Sequence, residues 1–128
     1  MKIRESAENY LETIYILLKR KGAVRAVDVA DELSFSKPSV SIAMKNLREN
    51  GFITTEKATG LITLTDRGTE IASRMYERHT VLSDLFILLG VDEHTAAEDA
   101  CRAEHVISAE TFEALKRHAR KLQKERPD

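Results

Sequence analysis

VDVADELSFSKPSVSIAMKNLREN, residues 27–50, holds two runs of helical spacing separated by a short break. Val27–Leu33 reads as a brief helix. The position before it offers no Ser, Thr, Asp or Asn as a cap, although Asp28 suits a first turn. The second run is better marked: Ser36 is placed to cap it, Pro38 falls in its first turn, and Gly51 follows its end. Val40, Ala43, Met44 and Leu47 recur as an inward stripe. Two β-prone runs come next, Phe52–Glu56 and Leu61–Thr65, parted by a loop of Lys57, Ala58, Thr59 and Gly60. Helix, three- or four-residue turn, helix and then a hairpin is the order of a winged helix–turn–helix.

Upstream, Ala7, Tyr10, Leu11, Ile14, Tyr15, Leu17 and Leu18 recur at helical spacing, and Lys19, Arg20 and Lys21 close that helix before Gly22. Downstream, Thr65 and Asp66 open a long helix along one face of which Ile71, Met75, Leu82, Phe86 and Leu89 recur, open to packing within or between subunits, with Gly90 as its stop. Residues 93–106 are expected to form a helix capped by Asp92. Ser108 caps a last one with Phe112, Leu115, Ala119 and Leu122 inward, and Lys124–Asp128 are expected to fray. The fold class is mainly α. A winged helix–turn–helix domain with a small β-hairpin wing over residues 1–70 precedes an all-helical domain over residues 71–128.

Composition narrows the function. The chain has 128 residues, 42% hydrophobic and 32% charged, with no Trp. No apolar run approaches the ~20 residues that span a bilayer, so no membrane association is expected. Met1–Glu8 carry both charge signs and no apolar stretch, so no secretory leader is expected either. A single cysteine, Cys101, rules out an internal disulfide framework and suits a reducing, cytoplasmic location. The formal net charge of −1 excludes a strongly basic nucleic-acid coat, but a local patch matters more than the sum. Residues 1–65 carry 10 basic and 8 acidic side chains, and residues 66–128 carry 10 and 13. That mild asymmetry permits the front half to face phosphate.

The outer face of the second helix of the pair carries Ser39, Ser41, Ile42, Lys45 and Arg48, with Ser36 and Lys37 at its start. Short hydroxyls beside Pro38 let a helix N-terminus approach phosphate closely, and its N–H groups add to the contact. Lys57 in the hairpin loop is placed to reach a flanking phosphate. A merely solvated helix would more often carry Glu and Lys where these serines stand. Double-stranded DNA is therefore the expected partner.

In the second half, Cys101, Glu104 and His105 stand at i, i+3 and i+4, on one face of one expected helix. Thiolate, carboxylate and imidazole are all ligands of first-row metals. The plain alternative is a buried cysteine beside two surface residues. His79 falls in the apolar stripe between Met75 and Leu82, where a lone histidine is ordinarily a core residue. Glu12, with Asn9 three residues before it, could equally mark the edge of a solvated face. Taken together these residues make a ligand-capable set on three helices.

The stretches 9–15 (NYLETIY), 36–41 (SKPSVS), 60–65 (GLITLT) with Gly68, and 101–108 (CRAEHVIS) resemble the diphtheria toxin repressor family, in order and over nearly the whole chain. The manganese transport regulator branch is nearest in length. The resemblance implies a metal-activated homodimeric repressor that binds a palindromic operator and controls metal homeostasis. It also implies a winged-helix domain followed by a metal-binding and dimerisation domain. Longer members add an SH3-like domain, which is not expected within these 128 residues. Glu104, His105 and His79 match metal ligands of both branches. Cys101 matches the cysteine of the iron-responsive branch, and Glu12 a glutamate of the manganese branch. Asn9 stands where the family places Asp or Met, and is a possible weak ligand. Ser83 and Ala97 replace a Glu and a His of the iron branch's ancillary site, so that site is not expected.

One sulfur among nitrogen and oxygen donors leans toward Fe(II), while the oxygens suit Mn(II). The cofactor is thus expected to be Fe(II) or Mn(II), with Zn(II), Co(II) or Ni(II) substituting in vitro. Three other readings compete. A winged-helix regulator could sense an organic ligand or an oxidant through Cys101. A bare structural DNA-binding module would leave the ligand types unexplained. An enzyme with Cys101 as nucleophile and His105 as base lacks any oxyanion loop or Gly-rich turn, so no enzymatic activity is expected.

Overall fold

The computed structural model describes residues 5–125. Six helices and one hairpin follow in the order α1 (Glu5–Lys21), α2 (Ala26–Leu33), α3 (Lys37–Glu49), β1 (Ile53–Thr55), β2 (Ile62–Leu64), α4 (Asp66–Leu88), α5 (Glu93–Ala103) and α6 (Ala109–Glu125). The chain divides into two compact units, with the boundary inside α4 between Met75 and Tyr76. Residues 126–128 of the tail expected to fray lie outside the described residues. Among the described residues no helix is long and apolar enough to cross a membrane.

In the first unit α1, α2 and α3 enclose Leu11, Ile14, Leu17, Val29, Val40, Met44 and Leu47, all buried. The start of α2, unmarked by a capping side chain, is secured from inside the helix. Asp28 reaches back and its carboxylate accepts the Arg25 N–H at 2.8 Å. The helix ends at Ser34, which takes φ 57°. The turn is thus three residues, Ser34 to Ser36. Ser36 caps α3 as its sequence suggests, its hydroxyl accepting the Ser39 N–H at 3.3 Å.

The hairpin is antiparallel, pairing Ile53 with Leu64, Thr54 with Thr63 and Thr55 with Ile62. The flanking residues of the β-prone runs extend this pairing at both ends, Glu56 N–H donating to Leu61 O at 2.9 Å and Thr65 N–H to Phe52 O at 3.0 Å. Ile53 and Ile62 point into the core and Thr54 and Thr63 outward. The Ile62 N–H also donates to Val24 O at 2.7 Å, and Arg25 Nε donates to Thr59 O at 2.8 Å, tying the wing to the segment before α2. Gly68 lets α4 begin against the wing. A Cβ there would lie 2.1 Å from Phe52 O, so only glycine fits.

In the second unit Leu82, Leu85, Ala96, Ala100, Phe112 and Ala119 are buried, and Lys116 Nζ pairs with Glu77 at 3.0 Å across α6 and α4. Asp92 caps α5, accepting from the His94 and Thr95 N–H groups, and Ser108 caps α6, accepting from Thr111 N–H. Leu89 is 69% exposed, one residue past the end of α4. One expectation fails here: α5 ends at Ala103, not at residue 106. The turn after Ala103 is held by Arg78, only 8% exposed: Nη1 donates to Glu104 O at 3.0 Å and to Ile107 O at 2.9 Å.

Candidate metal centre and DNA-binding face

The early end of α5 decides how the CxxEH residues are held. Cys101 sits in the last helical turn, Glu104 is the C-terminal cap residue, and His105 lies in the turn that follows. One thiol sulfur, one carboxylate oxygen and one ring nitrogen of these three residues lie within 4.8 Å of one another. The helical i, i+3, i+4 spacing is therefore replaced by a helix end, yet the three donors still converge.

Glu104 is the centre of the group. It is fully buried, and an imidazole faces each of its oxygens: His79 Nδ1 lies 3.0 Å from Oε2 and His105 Nε2 lies 3.4 Å from Oε1. His79 comes from α4, so two segments of the second unit meet on one carboxylate. Burying a carboxylate without positive charge costs several kcal/mol. The thiol, carboxylate and imidazole of Cys101, Glu104 and His105, with the His79 imidazole on the same carboxylate, are donor types that fit a first-row divalent cation such as Fe(II), Mn(II), Co(II) or Zn(II). Alkali cations, which take oxygen ligands alone, do not fit it.

Arg78 was not singled out from the sequence. It precedes His79 and stands at helical spacing from both Met75 and Leu82, in the apolar stripe itself. A charged residue in that stripe is the signal that could have found it. Its guanidinium carbon lies 5.3 Å from the Phe112 ring centre, so α6 packs on the same side chain that fixes the turn carrying Glu104 and His105.

Glu12 and Asn9 belong to α1 in the first unit. Glu12 is buried rather than at a solvated edge, and Asn9 is half-buried, its carbonyl accepting the Thr13 hydroxyl at 2.9 Å. The residues expected to meet DNA are all exposed: Ser36, Lys37, Pro38, Ser39, Ser41 and Lys45 at the start and outer face of α3, and Lys57 in the hairpin loop. Ser39 Oγ also pairs with Ser36 Oγ at 2.8 Å, so two of the small hydroxyls form one cap.

Comparison with known proteins matches two family models to successive parts of the chain. Residues 2–61 match the N-terminal DNA-binding domain of the iron-dependent repressors, and residues 65–127 match their metal-binding and dimerisation domain. An uncharacterised helix–turn–helix-type transcriptional regulator of Methanocaldococcus jannaschii is 35% identical over 88% of this chain and 90% of its own length. The helix–turn–helix-type transcriptional regulator MntR of Listeria welshimeri is 36% identical over 86% of this chain and 77% of its own. Among solved structures, the manganese regulator SloR superposes with a TM-score of 0.79 at 26% identity over 94% of this chain. This chain spans about half of SloR, 55% of its length.

Proposed function

The chain belongs to the iron-dependent repressor family of metal-dependent transcriptional regulators, and we propose that it is a cytoplasmic repressor of metal homeostasis that binds a palindromic operator as a homodimer when loaded with Fe(II) or Mn(II). It is a DNA-binding regulator and not an enzyme. We propose residues 1–70 as the DNA-binding domain and residues 71–128 as the metal-binding and dimerisation domain.

The observation that carries the metal reading is the buried Glu104 carboxylate with an imidazole on each oxygen and the Cys101 thiol beside it. A bound divalent cation supplies the positive charge that offsets this burial. Cys101, Glu104, His105 and His79 are its proposed ligands. Glu12 is proposed as a further donor and Asn9 as a weaker one, on the resemblance and their donor types. The half that carries Cys101 matches a metal-binding domain, which sets this reading above Cys101 as a sensor of an organic ligand or an oxidant.

Ser36, Lys37, Pro38, Ser39, Ser41 and Lys45 are proposed to meet the major groove, with Lys57 on a flanking phosphate. Replacing Lys37 by Ala should then weaken binding to every sequence and lower the salt slope by about one. A dimer presents two α3 helices, and a palindrome is read only at matching spacing. A hundredfold gain in operator affinity on metal loading requires about 2.7 kcal/mol of coupling. Anaerobic operator titrations with Mn(II), Fe(II) and Zn(II) test the proposal. Tight binding with metal and weak binding with EDTA support it. Equal affinity in both conditions overturns it.

A further inference from the structure

Ile42 lies at the middle of the outer face of α3. It is 63% exposed. Val40 and Met44, each two residues away and therefore about 200° round the helix, are buried in the core. Ile42 thus faces straight away from the body of its own unit. Lys45 one turn on and Lys37 at the start of the helix share the exposed side, as do Ser39 and Ser41. A large aliphatic side chain at that point adds nothing to the core and exposes apolar surface among polar neighbours.

We propose that Ile42 is a specificity-determining residue that packs on the C5-methyl group of a thymine in each operator half-site. This rests on the DNA-binding reading of α3 and extends it to one base. In the major groove the thymine methyl is the apolar feature that separates T·A from the other base pairs, and aliphatic side chains read it by contact. Lysines beside Ile42 match the phosphates that flank such a groove. Short serines allow the helix to come close enough for a branched side chain to touch a base edge.

Deoxyuridine differs from thymine only by the missing methyl and leaves base pairing intact. The operator is first obtained by selection from random duplexes with the full chain in saturating Mn(II). Each thymine of the half-site is then replaced by deoxyuridine in turn, and affinity is measured for the wild type, Ile42→Val and Ile42→Ala. At one position the wild type should lose about fourfold per half-site, the equivalent of one buried methyl group. Ile42→Val should keep most of that preference, and Ile42→Ala should bind the thymine and deoxyuridine duplexes alike. The side chain is exposed, so neither variant disturbs the core. A wild type indifferent to deoxyuridine at every position, a selected half-site without thymine, or an Ile42→Ala that discriminates as the wild type does would each overturn the role of Ile42. These outcomes leave DNA binding itself standing. A chain that binds no duplex at all in Mn(II) refutes the DNA-binding reading, and this inference with it.

Discussion

Arg78→Ala removes the side chain that closes α5, and its cost can be worked from three contacts. The Glu104 carbonyl is buried and loses its donor at 3.0 Å, which costs about 2 kcal/mol. The Ile107 carbonyl, half-buried, loses its donor at 2.9 Å, and water replaces part of it, so about 1 kcal/mol is lost. Separation from the Phe112 ring, now 5.3 Å from the guanidinium, removes about 1 kcal/mol of cation–π and packing energy. Against these, the guanidinium no longer has to be dehydrated, and its buried Nε finds no acceptor among the described residues. That offsets about 1 kcal/mol, leaving a net loss of about 3 kcal/mol. Urea unfolding of the apo chain by circular dichroism should show the midpoint fall with an unchanged slope. The same variant should bind Co(II) more weakly, because the turn holding Glu104 and His105 is no longer fixed. Arg78→Lys should fall between, since an ammonium group lacks the planar fork. A loss under about 1 kcal/mol for Arg78→Ala, with Co(II) affinity unchanged, would refute the claim that this arginine organises the site.

Three further outcomes follow from single features of the fold. Gly68→Ala places a methyl group 2.1 Å from Phe52 O, a backbone atom that already accepts the Thr65 N–H at 3.0 Å; the wing must shift, and urea unfolding should report a loss of about 3 kcal/mol. The Lys21 ammonium beside Asp28, helped by the Arg25 N–H, holds the Asp28 carboxyl below its ordinary value of 3.8. Its stabilisation is therefore complete above the unfolded-state value and is lost as pH falls through the lower folded value. Asp28→Asn should cost about 1 kcal/mol at neutral pH, and the gap to the wild type should close in acid titrations of stability. Cys101→Glu replaces sulfur with oxygen, and competition titrations should show the Mn(II)-to-Zn(II) affinity ratio rise by about tenfold.

The elements whose ends are set by local chemistry were legible in advance. Ser36, Pro38 and Gly51 mark α3, and the helix runs from Lys37 to Glu49 between them. Asp92 and Ser108 mark the starts of α5 and α6, and both cap as their side chains suggest. The outer face of α3 was legible for a related reason: a buried stripe at helical period leaves the opposite side to solvent. The end of α5 was not legible, because nothing near residue 103 stops a helix. The turn that follows it is held by Arg78, distant in sequence, through the Glu104 and Ile107 carbonyls.

The metal centre divides the same way. The types and spacing of Cys101, Glu104 and His105 were visible, and His79 was singled out through the resemblance, while the part played by Arg78 was not. Both stand in the apolar stripe of α4, and either could have faced the Glu104 carboxylate. The structure separates them by atom. Arg78 Nη1 donates to two backbone carbonyls, while His79 Nδ1 faces the carboxylate. An arginine on that carboxylate would have made a permanent ion pair that keeps a cation out. An imidazole there still offers a lone pair when neutral, as does His105 on the other oxygen. Thus the permanent charge shapes the turn, and the groups that face Glu104 are ones a metal ion can share. That distribution of donors favours a site whose charge is completed by a ligand over a closed structural salt bridge.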